Sequence, residues 1–384
     1  MQRPRPRSSH ARLAVMTVLA AATALAAIAP PSRGADKPAS GAPTASAASA
    51  SLSKTGTRYP ADADMQGVLD ALAALDPKPI ESLEPSEARR QPTAADAVIA
   101  VLKQQGKETA PSMLVPGVTS TDQTLPGPAG QLPVRIYTPA GAGPFPMVVY
   151  FHGGGWVLAD KNVYDGGARG LAKQANAVVV SVDYRLAPEA KFPAQHDDAL
   201  ATYKWAAANA AVLNGDVRRI ALAGESAGAN LALATAIGVR DQRLPAPVHV
   251  VAVYPIAQAS NLATPSYQDS ERARPLNKAM MEWFISTTVA KAADRQDPRI
   301  DLVNADLKDL PAVTLINARI DPLRSDADLL AAALRKAGVK VEHRIYEGVT
   351  HEFFGMAALV AKARQAQAFA GQQLKQAFGA APKA

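Results

Sequence analysis

No cysteine occurs in the chain, so it has neither a disulfide framework nor the thiol on which a lipid-anchored lipoprotein depends, and the core alone must hold the fold. Histidine is scarce. Six are scattered over 384 residues with no recognisable zinc spacing, and no metal or organic cofactor is expected. An excess of one charge is also missing once the first 34 residues are set aside. The formal net charge is +7 from 41 basic and 34 acidic residues, but residues 1–34 hold five arginines and no acid, leaving 36 against 34, or +2. That balance implies no nucleic-acid partner. No internal repeat is visible.

The apolar run Leu13–Ala29 is charge-free and alanine-rich, and its 17 residues are few for a membrane span. Arg3, Arg5, Arg7 and Arg12 precede it, and Pro30-Pro31 and small residues follow. Residues 1–34 therefore read as a secretory signal peptide, cut after Ala26, Ala29 or Gly34, with a membrane anchor as the alternative. The expectation is export to the periplasm or the medium with no stable membrane anchor. Residues 35–58, a Gly, Ser, Ala and Pro tract, read as a disordered linker.

Gly224-Glu225-Ser226-Ala227-Gly228 follows the apolar, strand-like Arg219–Ala223 and precedes a run of helix formers, Ala229–Arg240. A serine on such a tight strand-to-helix turn is lifted clear of the sheet, and only small neighbours permit the turn. The amide of Ala227 then lies at a helix N-terminus, where unpaired N–H groups favour negative charge. The competing reading is a glycine-rich connection with an N-capping serine. Upstream, the strand-like Met147–Phe151 runs straight into His152-Gly153-Gly154-Gly155-Trp156. Three glycines in a row suit a place where a carbonyl oxygen approaches bare backbone amides; a flexible loop is the alternative.

A nucleophilic serine needs a base. His10 lies in the leader, His249 and His343 in strand-like runs, His196 in a helix from about Phe192 to Asn209, and His152 in the glycine loop. His351 alone follows a strand on what reads as a short loop, Glu347-Gly348-Val349-Thr350. Asp321 follows the strand-like Val313–Ala318 and precedes Pro322. It suits a carboxylate that orients an imidazole, and equally a helix N-cap. Asp326 and Asp328 fall within the next helix and compete less well. Each feature lies just beyond the carboxyl end of a separate strand, where ligands bind in an open parallel sheet.

From about Leu114 strand-like and helical stretches alternate, which predicts an α/β fold: a mostly parallel central sheet with helices on both faces. Before it, Met65, Val68, Leu69, Leu72 and Leu75, then Ala95, Val98, Ile99 and Leu102, recur at helical spacing. Between Tyr254 and Val313 the alternation is interrupted, and Met280, Met281, Trp283 and Phe284 mark a helix. Those side chains read equally as ordinary packing or as an apolar wall for an acyl group.

The chain resembles the hormone-sensitive-lipase-like group of α/β-hydrolases, the bacterial family IV esterases. The likeness runs from about Leu132 to Phe378 and is carried by His152-Gly153-Gly154-Gly155-Trp156, Asp183-Tyr184-Arg185-Leu186-Ala187-Pro188-Glu189, Phe192-Pro193-Ala194, Gly224–Gly228, Asp321-Pro322-Leu323-Arg324 and His351. The order Ser, Asp, His is also that of α/β-hydrolases. The resemblance implies an α/β-hydrolase domain over 59–384, with a helical cap from about 59–112 and 257–300; packing of the first segment on the back of the sheet is the alternative. It implies Ser226 as nucleophile, His351 as base, Asp321 as its orienting acid, and the amides of Gly154, Gly155 and Ala227 as oxyanion donors. Trp156, Tyr184, Glu225 and Phe353 are expected to line the substrate pocket. The implied activity is serine carboxylesterase on a small-molecule ester with a short- to medium-chain acyl group; an amidase, deacetylase or lipase would use the same residues, and a non-catalytic binding homologue would normally lack one. Glu225, Ala229 and Glu352 depart from the group's commoner Asp, Gly and Gly. The two acids stand beside Ser226 and His351, where they could raise the histidine's pKa or face away.

Overall fold

The structure, a computed structural model, describes residues 55–380. The expected signal peptide and residues 35–54 of the expected linker lie outside the described residues. The rest of that linker is packed, which corrects its boundary. The Arg274 amide donates to the Thr55 carbonyl (3.2 Å), and Arg58 pairs with Asp269 at 3.1 Å.

The sheet is built from β1 (Val118–Gly127), β2 (Gly130–Pro139), β3 (Phe145–Phe151), β4 (Val178–Val182), β5 (Gly215–Glu225), β6 (Val250–Val253), β7 (Val313–Ile320) and β8 (Val341–Thr350). Its order is β1-β2-β4-β3-β5-β6-β7-β8. β2 pairs antiparallel with both β1 and β4, and every pair from β4 to β8 is parallel. The expected α/β architecture is the one observed.

The inner strands are apolar on both faces because helices cover both. Met147, Val149 and Phe151 of β3 enter one hydrophobic cluster, while Val148 and Tyr150 enter the other, as a period of two dictates. The helices are α1 (Ala63–Ala74), α2 (Pro85–Ala88), α3 (Ala94–Gln104), α4 (Pro111–Leu114), α5 (Asp165–Ala175), α6 (Ala194–Ala208), α7 (Ala227–Asp241), α8 (Pro265–Asp269), α9 (Lys278–Thr288), α10 (Arg324–Lys336) and α11 (Ala361–Ala380). α6, α7, α9 and α10 contribute to the first cluster, and α1, α3, α5 and α11 to the second. β4, Val178–Val182, is buried along its whole length. Each buried valine contributes on the order of 1.5–3 kcal/mol of hydrophobic stabilisation before chain entropy is counted.

α1 and α3 thus share a face with α5 and α11, at the carboxyl end of β8. The Asp62 amide donates to the Gly348 carbonyl (2.8 Å), and Met65 meets Thr350. Among the described residues no helix is long and apolar enough to cross a membrane.

Candidate active site

Ser226 sits between the last residue of β5 and the first of α7, with φ 58° and ψ −118°, a conformation an L-residue adopts only under constraint. The constraint is visible on both sides. A Cβ on Gly224 would lie 2.1 Å from the Gly228 carbonyl oxygen, and one on Gly228 would lie 2.0 Å from that of Phe151. Only glycine fits either place, so the turn folds as tightly as the serine requires. The Ser226 amide donates to Val253 O (2.9 Å), tying the turn to β6.

His351 follows β8 directly. The four residues expected as a loop, Glu347–Thr350, are the end of the strand, and the pairing shifts between Ala318 and Ile320 of β7. Gly348, with φ 67°, marks an irregularity inside the ladder rather than a turn after it. Asp321 follows β7, and its Oδ1 accepts the Leu323 amide at 2.8 Å. It caps that first turn, although α10 itself begins only at Arg324. α8 pins the same turn, because Ser266 Oγ accepts the Ser325 amide at 2.9 Å and its own amide donates to Ser325 Oγ at 3.1 Å. Asp326, within α10, points elsewhere and accepts the Ala257 amide at 3.2 Å.

These three side chains converge. His351 Nε2 lies 3.0 Å from Ser226 Oγ, and its Nδ1 lies 2.8 Å from Asp321 Oδ2. Ser226, His351 and Asp321 are 4%, 3% and 0% exposed, so bulk water does little to screen the contacts. Burial alone would lower the His351 pKa. The Asp321 charge and hydrogen bond, followed by the charges of Glu352 and Glu225, outweigh it and leave the imidazole more basic than usual.

The glycine loop turns at Gly154 and Gly155, whose φ angles are 93° and 60°. Among the described residues the amides of Gly154, Gly155 and Ala227 have no backbone acceptor. The loop is held from below and above. Tyr184 O–H donates to the His152 carbonyl (2.9 Å), and its ring stacks on His152 at 4.2 Å. Thr288 of α9 donates to the Gly155 carbonyl at 3.3 Å. Met281, Phe284 and Ile285 of α9 are buried over this side of the sheet.

The four residues expected in the pocket are all buried. Trp156 is 1% exposed and packed in the core, its ring 6.3 Å from His196. Tyr184 buttresses the glycine loop. Glu225 follows the alternation of β5, sharing a face with Ala221 and Ala223, and takes hydrogen bonds from Tyr150 and Tyr254. Phe353 is buried between Tyr254 and Tyr346, at 6.1 and 5.6 Å between ring centroids. Trp156 and Tyr184 thus lie with the first cluster, and Glu225 and Phe353 with the second. Tyr150, Tyr164 and Tyr254 escaped the sequence reading. For Tyr150 and Tyr254 the signal was a hydroxyl-bearing aromatic at the end of an otherwise apolar strand, a position that demands a buried partner; Tyr164, at the N-terminus of α5, carried no such signal.

Comparison with known proteins agrees with this architecture. The family model for the alpha/beta hydrolase fold matches residues 148–355. Carboxylesterase NlhH of Mycobacterium tuberculosis is 36% identical over 295 residues, which cover 75% of this chain and 92% of that protein. Ethyl acetate hydrolase of Pseudomonas putida is 35% identical over 309 residues, 78% of this chain and 92% of that one. Among solved structures, a hyperthermophilic esterase from Pyrobaculum calidifontis superposes with a TM-score of 0.74 at 33% identity, covering 83% of this chain and 98% of its own. The chain belongs to the alpha/beta hydrolase fold family, among the hormone-sensitive-lipase-like carboxylesterases.

Proposed function

We propose that this protein is a serine carboxylesterase that hydrolyses small esters with short- to medium-chain acyl groups by two-step acyl transfer. The observation that carries the reading is the unbroken hydrogen-bonded line from Ser226 Oγ through His351 to Asp321. In this reading His351 Nε2 takes the serine proton as Oγ attacks the ester carbonyl, and Nδ1–H stays on Asp321, which fixes the tautomer and stabilises the imidazolium. The carbonyl oxygen becomes an oxyanion against the amides of Gly154, Gly155 and Ala227. The protonated imidazole returns its proton to the departing alkoxide, and the alcohol leaves. Water then attacks the acyl-enzyme with His351 again as base, which releases the acid and restores Ser226.

A short acyl group is supported by the apolar side chains of α9 standing over the glycine loop. Esterase activity is also supported by the kinship with proteins named for ester hydrolysis. Export is part of the same proposal and rests on the leader's composition; it predicts activity in the periplasmic or culture fraction rather than the cytosol.

The test is hydrolysis of C2 to C12 p-nitrophenyl esters by wild type and Ser226→Ala, with a fluorophosphonate label mapped to its site. Rates that fall with chain length, a label on Ser226 and an inactive, folded variant are expected. Wild-type turnover by Ser226→Ala would overturn the assignment.

A further inference from the structure

Two carboxylates stand beside His351 with no Lys or Arg in ion-pair contact among the described residues. Glu225 is buried and Glu352 partly so. Tyr150 O–H and Tyr254 O–H donate to the two oxygens of Glu225, and Tyr164 O–H donates to Glu352 Oε1 at 3.3 Å. The Tyr254 ring lies 4.4 Å from the His351 ring, inclined at 48°. Four separate places in the fold therefore meet behind the base: the ends of β3, β5 and β6, and the start of α5. Glu352 also holds φ 66°, a left-handed conformation that is strained for a non-glycine residue. A residue strained in this way, carrying a charge into an ill-solvated place, incurs two penalties at once, and packing alone gives no reason for either.

We infer that Glu225 and Glu352 are positioning residues for His351: Glu225 fixes the Tyr254 ring against one face of the imidazole, and both carboxylates offset the positive charge that the ring gains when it takes the serine proton. The inference rests on the roles proposed above for Ser226 and His351. The groups facing His351 are Ser226 and Asp321 in hydrogen-bond contact, Glu352 next in the chain, Glu225 from β5 and Tyr254 beyond β6. Those facing Glu225 are Tyr150, Tyr164, Tyr254, Glu352 and His351. Asp321 faces Glu352, and Asp326 of α10 lies beyond Asp321. Burial pushes the Glu225 carboxyl up to about 7 against the pull of its two tyrosines, and burial likewise raises Glu352. His351, Glu225 and Glu352 act on one another's charge, so in this reading the acid limb of the pH profile belongs to the cluster.

The experiment is kcat/KM against pH for p-nitrophenyl butyrate, read at a pH-independent wavelength, for wild type, Glu225→Gln, Glu225→Asp and Glu352→Gly. Removing a carboxylate lowers the basicity of His351, so the acid limb should move to lower pH by about half a unit or more in Glu225→Gln and Glu352→Gly. The plateau kcat should fall several-fold with KM changed less. Glu225→Asp keeps the charge and should keep the wild-type limb. Glycine accepts φ 66° without strain, so Glu352→Gly folds and decides the matter should Glu225→Gln fail to. Acid limbs that coincide with wild type in the charge-removing variants would overturn the inference. Ser226→Ala separates the two failures: activity in that variant defeats the nucleophile assignment, whereas an inactive Ser226→Ala with coincident limbs defeats only the role of the glutamates.

Discussion

The ring of Phe284 on α9 rests on the Cα of Gly155: a Cβ built there would lie 2.2 Å from the ring and would require φ 60° of an L-residue. Helix and loop are thereby in direct steric contact at one of the amides assigned to the oxyanion. Gly155→Ala should displace the loop and lower kcat by ~10²- to 10³-fold, the range for loss of one oxyanion donor. KM should change less, and the melting temperature should fall by only a few degrees. Steady-state kinetics beside a thermal melt check this. Wild-type kcat in a folded variant would remove Gly155 from the mechanism.

Asp321 divides its two oxygens between partners. Oδ1 accepts the Leu323 amide at 2.8 Å, and Oδ2 faces His351 Nδ1 at 2.8 Å. An asparagine must keep its oxygen on the Leu323 N–H, so its NH₂ would meet Nδ1. The imidazole proton would then move to Nε2, where it confronts the serine hydroxyl and cannot accept from it. Asp321→Asn should therefore lose roughly 10⁴-fold in kcat with the fold intact, by analogy with the tautomer error in serine proteases. Near-normal turnover would point to another carboxylate.

Much of the fold was legible because parallel strands buried on both faces read as apolar runs, and the glycines at 224 and 228 announce a turn that no larger residue fits. The residues of the site were nameable for the same local reasons. Their contact was not, since Ser226 and His351 stand 125 positions apart and meet only because β5, β6, β7 and β8 lie side by side in chain order. The loop reading of Glu347–Thr350 failed because Gly348 signals a turn and an irregularity inside a strand with the same letter. Glu225 reads as a pocket residue from its neighbour in sequence; its tyrosine partners were not legible, because the alternation of β5 that turns it to the face of Ala221 and Ala223 names no partner. Tyr254 lies just past β6 with φ 38°, a departure that no apolar pattern encodes.

Arg89, at the end of α2, reaches into the body of the domain. Its Nε donates to the Val157 carbonyl at 2.8 Å, its Nη2 to the Ala187 carbonyl at 2.7 Å, and both Nη atoms meet Glu189. The Glu189 side chain is 63% exposed, so the ion pair contributes little, at most about 1 kcal/mol. The carbonyl bonds are better shielded and hold the chain just after the glycine loop. Arg89→Met should lower the melting temperature by several degrees, and Glu189→Gln by a degree or less. Equal losses from both changes would mean that the charge pair matters more than the carbonyl clamp.

Asp326 makes stability depend on pH with a definite sign. Burial first, and then the charge of Asp321, push its carboxyl from an ordinary 3.8 up to about 8, against the hydrogen bonds from Ala257 and Gln258. Between those two values the folded chain holds a proton that the unfolded chain has released, so stability is lost as pH rises from about 4 through 8. Below that window the group is neutral in both states and costs nothing; above it the full penalty applies. Asparagine can still accept the Ala257 amide, and Gln258 can reverse its amide to meet the new NH₂. The gain in melting temperature of Asp326→Asn over wild type should therefore be small at pH 4, grow steadily and level off above pH 8. Because only the difference between the two proteins is compared, other titrating groups largely cancel. A difference that stays flat over this range would mean that Asp326 is ionised in the folded protein throughout.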